Sequence, residues 1–392
     1  MVFFAIIAVL VLVLLHAWLG FRLAAPFTMP VSGIIWAAVT TSALMLPGTM
    51  VLTQVLGESA ATRWFGVLGF IVMGFWSILV GTMLVWELLR LALWFWDLGA
   101  GLLAPGLASA AWLPATAAAW YRGTVFGVLG LTLLGGSLGL VGGRAQPVLE
   151  RVRLDVPGLA PQLEGLRIAQ ISDVHVGPTV RRAFVQDVVN RVNALEPDIV
   201  ALTGDLVDGT VEDLSTETAP LAQLEAPLGL YFVTGNHEYY SGVLAWLDEV
   251  QHLGFITLVN QHVVVRRDGA SLVIAGVTDE RGGSMVPTHA PDPVAALAGA
   301  PDGALRLMLA HQPRSAPAAA AAGADIILSG HTHGGQYAPW TWAIHLVEPY
   351  IRGLYRVGDA QLWVNRGTGT WGPPLRLGSS QEITLIELHR AP

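Results

Sequence analysis

Histidine, aspartate and asparagine side chains recur in short polar segments of this 392-residue chain, each close behind an apolar run. The segment IILSGHTHGGQYAPW at 326–340 continues such a run and places His331 and His333 two residues apart. Carboxylate, imidazole and amide donors without a thiolate suit a hard or borderline divalent ion such as Mn²⁺, Fe or Zn²⁺. The other donors of this kind are Asp173, His175, Asp205, Asn236, His237 and His311.

These donors outnumber the ligands that one four-coordinate ion needs. Two neighbouring ions that share a bridging carboxylate would use all of them, and such pairs lie about 3.5–4 Å apart to hold both oxygens of a phosphoryl displacement. Taken singly, the residues have ordinary explanations: Asp205 after Gly204 is typical of a turn, and His311 is typical of a surface histidine. The set as a whole indicates a binuclear metal site.

Each donor group follows a run of Val, Ile and Leu that predicts a buried strand, because runs without alternation fit a sheet covered on both faces. Between the first two runs, residues 181–197 repeat their apolar side chains at helical spacing. Strand, helix, strand implies parallel pairing in an α/β fold, in which ligands bind at the carboxyl ends of strands. The five runs are LRIAQISDVH (166–175), DIVALTGDLVD (198–208), LYFVTGNHEYY (230–240), LRLMLAHQP (305–313) and ADIILSGHTHGG (324–335).

The ordered motifs D-x-H, G-D-x-x-D, G-N-H-E, a lone His and G-H-T-H resemble those of the calcineurin-like metallophosphoesterases. The resemblance covers residues 165–390, and the GHTHGGQ, GDLVDG and RGTGTWGPPLRLG segments look most like the membrane-associated YkuE-like branch. It implies an αββα sandwich, in which two packed sheets are flanked by helices. It also implies an enzyme, a metal-dependent phosphoric ester hydrolase.

The resemblance further implies two divalent ions, with manganese the first expectation and iron or zinc the alternatives. It assigns four ligands to each ion: Asp173, His175, Asp205 and His333 to one, and Asp205, Asn236, His311 and His331 to the other. Asp205 is then the bridge, since a carboxylate has two oxygens and an imidazole nitrogen serves one ion. A hydroxide shared by the ions would attack phosphorus, and His237 would protonate the leaving oxygen or stabilise its charge.

The sequence leaves the roles of four more polar residues near these motifs undecided. Asp208 is expected to be structural or to support a ligand. Glu238 and Asp279 either orient ligating imidazoles or take no part in the site. Gln336, in the last motif, has no assigned role.

The amino-terminal part differs sharply in composition. The whole chain is 53% hydrophobic and 13% charged, against about 25% charged in an ordinary soluble protein. Apolar segments predict spans at 2–20, 31–56, 65–88 and 124–142, the first an unbroken stretch long enough for a ~30 Å hydrocarbon core. Segment 91–119 is either a fifth span or an interfacial or re-entrant segment. The predicted organisation is a transmembrane region at 1–143, a juxtamembrane linker and first strand at 144–164, and the metallophosphoesterase domain at 165–392.

The chain contains no lysine and no cysteine, so disulfide and thiol chemistry are excluded, and its few loop arginines leave the side of the membrane open. We expect a multi-pass protein of a bacterial cell membrane in which His16 and Asp97 are structural. No nucleic-acid-binding pattern is evident in this acidic chain, whose formal net charge is -8.

The substrate follows least directly from the sequence. A binuclear site recognises the phosphoryl group, so monoesters, diesters and pyrophosphates all stay open. Tethering to the lipid bilayer favours a lipid-linked phosphoester, with Tyr337, Trp340, Trp342 and Tyr350 either forming a lip toward the membrane or packing in the core. The alternative is a transport or sensory membrane protein whose carboxyl-terminal domain binds metal or phosphate with little turnover.

Overall fold

A computed structural model describes residues 2–56, 59–103 and 117–391. The chain divides into two compact units, Met1–Leu140 and Val141–Pro392. The division lies close to the change in composition near Gly143. The first unit carries the apolar segments, and the second carries all of the predicted metal donors.

The first unit is helical. Pro26 and Pro30 lie between the first two helices, where the missing amide donor of proline interrupts helical hydrogen bonding. The helices are α1 (Val2–Ala24), α2 (Val31–Leu56), α3 (Ala60–Leu103) and α4 (Ala117–Arg144), the last of which runs into the second unit.

Two helical stretches are long and apolar enough to cross a membrane, Ala61–Trp96 and Trp120–Arg144, and they contain the predicted spans at 65–88 and 124–142. The apolar stretches of α1 and α2 are shorter, Val9–Ala24 and Val31–Met45. Residues 91–103 continue α3 without a break, whereas 104–116 and the side chain of Asp97 lie outside the described part of the chain. The number of spans stays a prediction.

Charged and polar side chains pair both between and within the helices of this unit. Glu87 accepts hydrogen bonds from Arg22, at 2.9 Å, and from Arg90, at 3.2 Å. His16 is buried and its ring stacks on Trp76, with 4.5 Å between the ring centroids. The stacked, buried position of His16 fits the structural role that the sequence predicts.

The second unit is built on two six-stranded sheets. The strands of the first sheet are β1 (Val148–Val156), β2 (Arg167–Ile171), β3 (Ile199–Leu202), β4 (Leu230–Phe232), β5 (Ile256–Thr257) and β12 (Glu382–Arg390). Their order is β1-β12-β2-β3-β4-β5. Strands β2 to β5 are parallel to one another, as the strand–helix–strand pattern predicts, whereas β12 runs antiparallel to β2.

The second sheet has a parallel centre and two antiparallel edges. Its strands are β6 (Gln261–Arg267), β7 (Ala270–Gly276), β8 (Leu305–Leu309), β9 (Ile326–Ser329), β10 (Gly353–Val357) and β11 (Ala360–Val364). Their order is β10-β11-β9-β8-β7-β6. The edge strands β6 and β10 are each the antiparallel partner of the strand that follows them in the chain.

Helices α5 (Arg182–Asn193), α6 (Val211–Thr218) and α8 (Val243–His252) pack on the first sheet, and α10 (Pro293–Leu297) and α11 (Ala316–Ala321) pack on the second. Three short helices lie in loops: α7 (Asn236–Tyr240), α9 (Gly282–Met285) and α12 (Trp340–Ala343). Helix α5 fills the predicted segment 181–197, and its Val185, Val188, Val189 and Val192 are buried.

Alternation along the strands builds the layers, because successive side chains of a strand point to opposite faces. In β3, Ile199 and Ala201 belong to the core between the two sheets. Val200 and Leu202 belong to the core that packs under α5 and α8. A third core lies under α10 and α11 on the second sheet. The predicted αββα sandwich is confirmed.

Candidate metal centre

The predicted donors lie in five loops, three after strands of the first sheet and two after strands of the second. Within each sheet the carboxyl ends of neighbouring parallel strands meet at one edge, and the two sheets pack on a common core. Each donor follows its strand by two to four residues: Asp173 and His175 after β2, Asp205 after β3, Asn236 after β4, His311 after β8, and His331 and His333 after β9.

The backbone of five of these donors adopts the left-handed region, which residues other than glycine seldom populate. Two neighbouring glycines leave no room for a side chain. A Cβ on Gly235 would lie 2.1 Å from Asp205 Oδ1, and one on Gly330 would lie 2.2 Å from Asp173 Oδ2. The φ angles are 52° at Asp173, 53° at His175, 51° at Asp205, 70° at His331 and 52° at His333.

The first donor set converges on a point between two imidazoles. His175 Nε2 and His333 Nε2 are 3.1 Å apart, and His333 Nε2 is 3.4 Å from Asp173 Oδ1. His175 Nδ1 lies 2.9 Å from a carboxylate oxygen of Asp208, so Nδ1 carries the proton and Nε2 presents its lone pair. Two imidazole nitrogens and a carboxylate oxygen that face one point form a donor set that suits a divalent ion.

The second donor set shares Asp205 with the first. Asp205 Oδ2 is 3.1 Å from His311 Nε2 and 3.8 Å from His175 Nε2. His311 Nδ1 lies 2.7 Å from the carbonyl oxygen of Thr203, to which it donates, so Nε2 presents its lone pair to the site. His331 Nδ1 is 3.2 Å from that Nε2. One carboxylate oxygen therefore lies between two donor clusters, as a bridging ligand must.

Asn236 supplies an independent sign that a ligand is expected. Its Oδ1 is buried and accepts no hydrogen bond within the part of the chain that the structure describes. Buried amide oxygens are almost always satisfied. Because Asn236 follows β4 and begins α7 beside the Asp205 loop, an ion in the second donor set would provide the missing partner.

Electrostatics of the cluster favour positive charge at its centre. Burial alone would lower the pKa of His311, but the carboxylate of Asp205 raises it well above its usual range. Burial and the charge of His311 lower the pKa of His331 to about 3. Burial and the guanidinium of Arg376 hold the pKa of His333 well below its usual range. His331 and His333 are therefore neutral, the form that metal ligation requires, and His311 would release its proton to an ion bound beside Asp205.

His237 lies at the opening of the cluster. Its Nδ1 is 2.6 Å from Asp208 Oδ1, the same oxygen that accepts from His175. Burial would lower the pKa of His237, but this hydrogen bond and the nearby Asp205 raise it to about 9. The rings of Tyr240 and Trp371 lie at 5.4 and 5.9 Å from the His237 ring. Asp208 thus joins one predicted ligand to the predicted proton donor, a role that its place in the sequence left open.

Known proteins are similar to this chain over the segment that carries the donors. Residues 166–335 match the family model described as calcineurin-like phosphoesterase. An uncharacterized metallophosphoesterase of Aquifex aeolicus is 34% identical over 231 residues, which cover 58% of this chain and 87% of that relative. The chain belongs to the calcineurin-like metallophosphoesterase family.

Other members of the family include proteins with a membrane region. A Danio rerio protein named transmembrane protein with metallophosphoesterase domain is 38% identical over 285 residues, 71% of this chain and 65% of that relative. The chain thus spans less than two thirds of the length of this relative. The uncharacterized metallophosphoesterase YkuE of Bacillus subtilis is 29% identical over 233 residues, 57% of this chain and 79% of its own length. The resemblance to this branch is confirmed.

Glu238 holds the backbone of the loop that carries Asp205, the predicted bridging ligand. Its carboxylate accepts from the amides of Asp205, at 3.0 Å, Leu206, at 2.7 Å, and Gly235, at 2.6 Å. All three amides lie in the loops after β3 and β4. Glu238 therefore fixes the loop that carries Asp205 and, among the described residues, contacts no imidazole through a hydrogen bond.

Asp279 and Gln336 also form hydrogen bonds with residues of neighbouring loops. Asp279 accepts from Gln312 Nε2 and from the amide of Arg281, both at 2.8 Å, and no hydrogen bond to an imidazole is found for it in the described ranges. Gln336 Nε2 donates to the carbonyls of Trp371 and Pro373, and its Oε1 accepts from the amide of Trp371. The expectation that Asp279 orients an imidazole is not supported by these contacts.

Arg376 is a member of the site region that the sequence reasoning missed. It is 3% exposed and donates to the carbonyls of His333, Gly367 and Gly369. Burial lowers the pKa of Arg376 to about 9, although Asp173 opposes the shift. The RGTGTWGPPLRLG segment contained the signal: Arg376 follows a run of glycines whose carbonyls need a donor.

Of the four aromatic residues considered for a lip, two are exposed and two are not. Trp340 is 49% exposed and Trp342 is 69% exposed. Tyr337 is buried, and the ring of Tyr350 packs on that of Tyr355 at 5.1 Å. Core packing is therefore the correct alternative for the two tyrosines only.

Proposed function

We propose that this protein is a membrane-anchored phosphoesterase that uses two divalent metal ions, manganese first among them, to hydrolyse a phosphoester or pyrophosphate bond. The observation that carries the proposal is the pair of donor clusters that meet at Asp205 Oδ2, with His175 Nε2 and His311 Nε2 on either side. A single-metal binding module has no use for a second complete cluster around one carboxylate.

The chain's own residues supply the ligands and the proton. Asp173, His175 and His333 would hold one ion and Asn236, His311 and His331 the other, with Asp205 between them. When bound, two such ions acidify a water molecule and neutralise the charge of the phosphoryl oxygens. His237, whose Nδ1 is bound by Asp208, keeps Nε2 for the substrate. A cationic imidazole there protonates or stabilises the leaving oxygen.

A lipid-linked substrate in a bacterial membrane is the specific form of the proposal. Two helical stretches are apolar and long enough to cross a bilayer. The rim beside His237 is aromatic and open, since Tyr240 is 59% exposed and Trp371 is 53% exposed. Exposed aromatic rings at the opening of a phosphoryl site suit a substrate that carries an apolar portion.

Full-length protein in detergent tests the proposal. We expect two metal ions per chain by elemental analysis and Mn²⁺-dependent hydrolysis of a chromogenic phosphodiester or monoester. Asp205→Ala should abolish turnover and lower the metal content, whereas Asp248→Ala, which removes an exposed carboxylate on α8, should leave both unchanged. Metal-loaded protein that is inert toward a broad panel of soluble and lipid phosphoesters would refute the proposal and favour a regulatory metal-binding domain.

A further inference from the structure

Four large apolar side chains stand exposed on the segment after the last metal-binding loop. We call them the apolar patch: Trp340 is 49% exposed, Trp342 69%, Leu346 87% and Val347 67%. The segment WTWAIHLV at 340–347 contains no carboxylate, lysine or arginine. Clustered exposed apolar residues of this kind mark an interaction surface, because a soluble surface rarely concentrates them.

The apolar patch is fastened to the loop that borders the metal centre. The amide of Ala338 donates to the carbonyl of Leu377 at 3.1 Å, just before the patch begins. Gln336 binds both the amide and the carbonyl of Trp371. The patch, the 371–378 loop and the rim beside His237 therefore form one connected part of the domain.

The same loop receives the carboxyl end of α4. Within the second unit, a Cβ on Gly142 would lie 2.2 Å from the carbonyl oxygen of Arg376, and one on Gly143 would lie 2.2 Å from that of Pro374. Such distances mean that the two backbones touch, and both glycines are needed for the contact. Gln381 Nε2 also donates to the carbonyl of Gly143, at 3.2 Å.

We propose that the apolar patch inserts into the interfacial layer of the bilayer in which α4 is anchored. The inference rests on the proposed membrane anchoring. Residues 142–143 end a helix whose stretch Trp120–Arg144 can cross a membrane, so the loop that they touch lies close to a membrane surface, and the patch is tied to that loop. Tryptophan is enriched at this depth of a bilayer.

A positive charge near the apolar patch also favours contact with the membrane surface. Arg352 is exposed and its Nη1 donates to the carbonyl of Gly378, at the end of the loop. A cation beside an apolar segment favours anionic headgroups. Glu348, the acid that follows the patch, is buried and paired with Arg314. Inserted in this way, the patch holds the rim near His237 at the lipid surface, where a lipid-linked phosphate needs no transfer through water.

A single cysteine introduced into this cysteine-free chain tests the docking. Full-length Val347→Cys and Val294→Cys, each labelled with an environment-sensitive dye, are reconstituted into phosphatidylcholine–phosphatidylglycerol vesicles that contain spin-labelled lipid. Val294 is a matched control because it is 70% exposed and lies on α10, which packs on β6, at the sheet edge opposite to β10. We expect a blue-shifted dye at 347 whose quenching by shallow spin label is severalfold that at 294.

Trp342→Ser should reduce the quenching at position 347, and Trp342→Phe should restore it. Equal, water-like signals at 347 and 294 would overturn the proposal. Protection at 347 that disappears on dilution of the protein in lipid, with crosslinking between copies, would also overturn it and would assign the patch to a second copy of the chain. Turnover of a soluble phosphodiester in the same vesicles separates this result from the proposed activity, since the dye reports docking whether or not hydrolysis occurs.

Discussion

Replacing Glu238 with glutamine should loosen the loop that carries the bridging carboxylate. One oxygen of Glu238 accepts from the amides of Asp205 and Gly235, and the other accepts from the amide of Leu206. A glutamine carbonyl can take over the first two hydrogen bonds. Its NH₂ group then faces the Leu206 amide, so that two donors oppose each other in a site where Glu238 is 1% exposed.

The cost follows from one buried amide that loses its acceptor. Such a loss is worth about 1–3 kcal/mol, and we expect about 2 kcal/mol for Glu238→Gln, which is roughly a 30-fold change in the folded-to-unfolded ratio. Glu238→Ala would leave all three amides without their acceptor. At roughly 3–9 kcal/mol, that loss is comparable to the whole stability of a domain, so the alanine variant should fail to accumulate.

Pulse proteolysis of the metal-loaded, full-length protein in urea measures this change. The midpoint for cleavage within the second unit should fall by roughly 0.5–1 M. Glu212→Gln, an exposed acid on α6, is the control and should stay within about 0.5 kcal/mol of the parent protein. A normal midpoint combined with lost turnover would refute the reasoning, because Glu238 would then act in the chemistry and not through the backbone.

Four other outcomes follow from the contacts of the site and the core. Asp208→Asn should lower metal affinity or turnover by about 10–100-fold, measured by Mn²⁺ titration and by kinetics. Trp246→Ala should cost about 3–5 kcal/mol, read from urea unfolding, because this indole is fully buried. Gly330→Ala should reduce the metal content by elemental analysis, since the new Cβ would lie 2.0 Å from Ser172 Oγ and 2.2 Å from Asp173 Oδ2. Chelation should abolish turnover and lower the thermal midpoint, and added Mn²⁺ should restore both.

Each of these outcomes has a control or a contrary result. Gly242→Ala, at a glycine with open space beside it, should leave the metal content unchanged, although its φ of 95° costs some stability. Trp342→Ala removes an exposed indole and should spare the unfolding midpoint. Parent-like metal affinity and turnover in Asp208→Asn would show that the two imidazoles are positioned by other groups. Full turnover after exhaustive chelation would contradict a metal centre.

The strands and the donor list could be predicted because both are local features of the sequence. In a polar domain, an apolar run such as the IVAL before Asp205 is stable only as a strand of a sheet that is covered on both faces. The donors that follow such runs lie at the carboxyl ends of strands, so their convergence on one site follows from topology alone. The order of the motifs then made the assignment of ligands to ions possible.

The supporting contacts could not be predicted because they join loops that are distant in the chain. Asp208 reaches both His175 and His237 through one oxygen, and no spacing rule relates these three positions. Arg376 donates to four carbonyls that only the folded loops bring together, those of His333, Arg366, Gly367 and Gly369. Glu238 lies two residues after Asn236, and the sequence left open whether it orients an imidazole or takes no part in the site; its partners are backbone amides.

Five residues of the site have a left-handed backbone, and this conformation should make the stability of the protein depend on bound metal. They are Asp173, His175, Asp205, His331 and His333. Each such residue costs of order 1–3 kcal/mol, and the cost is tolerable while ligand bonds to an ion hold the loops in place. In a metal-starved cell the three loops that carry these residues should relax and become accessible to proteases. The abundance of the protein, and not only its activity, should then track the concentration of the available ion.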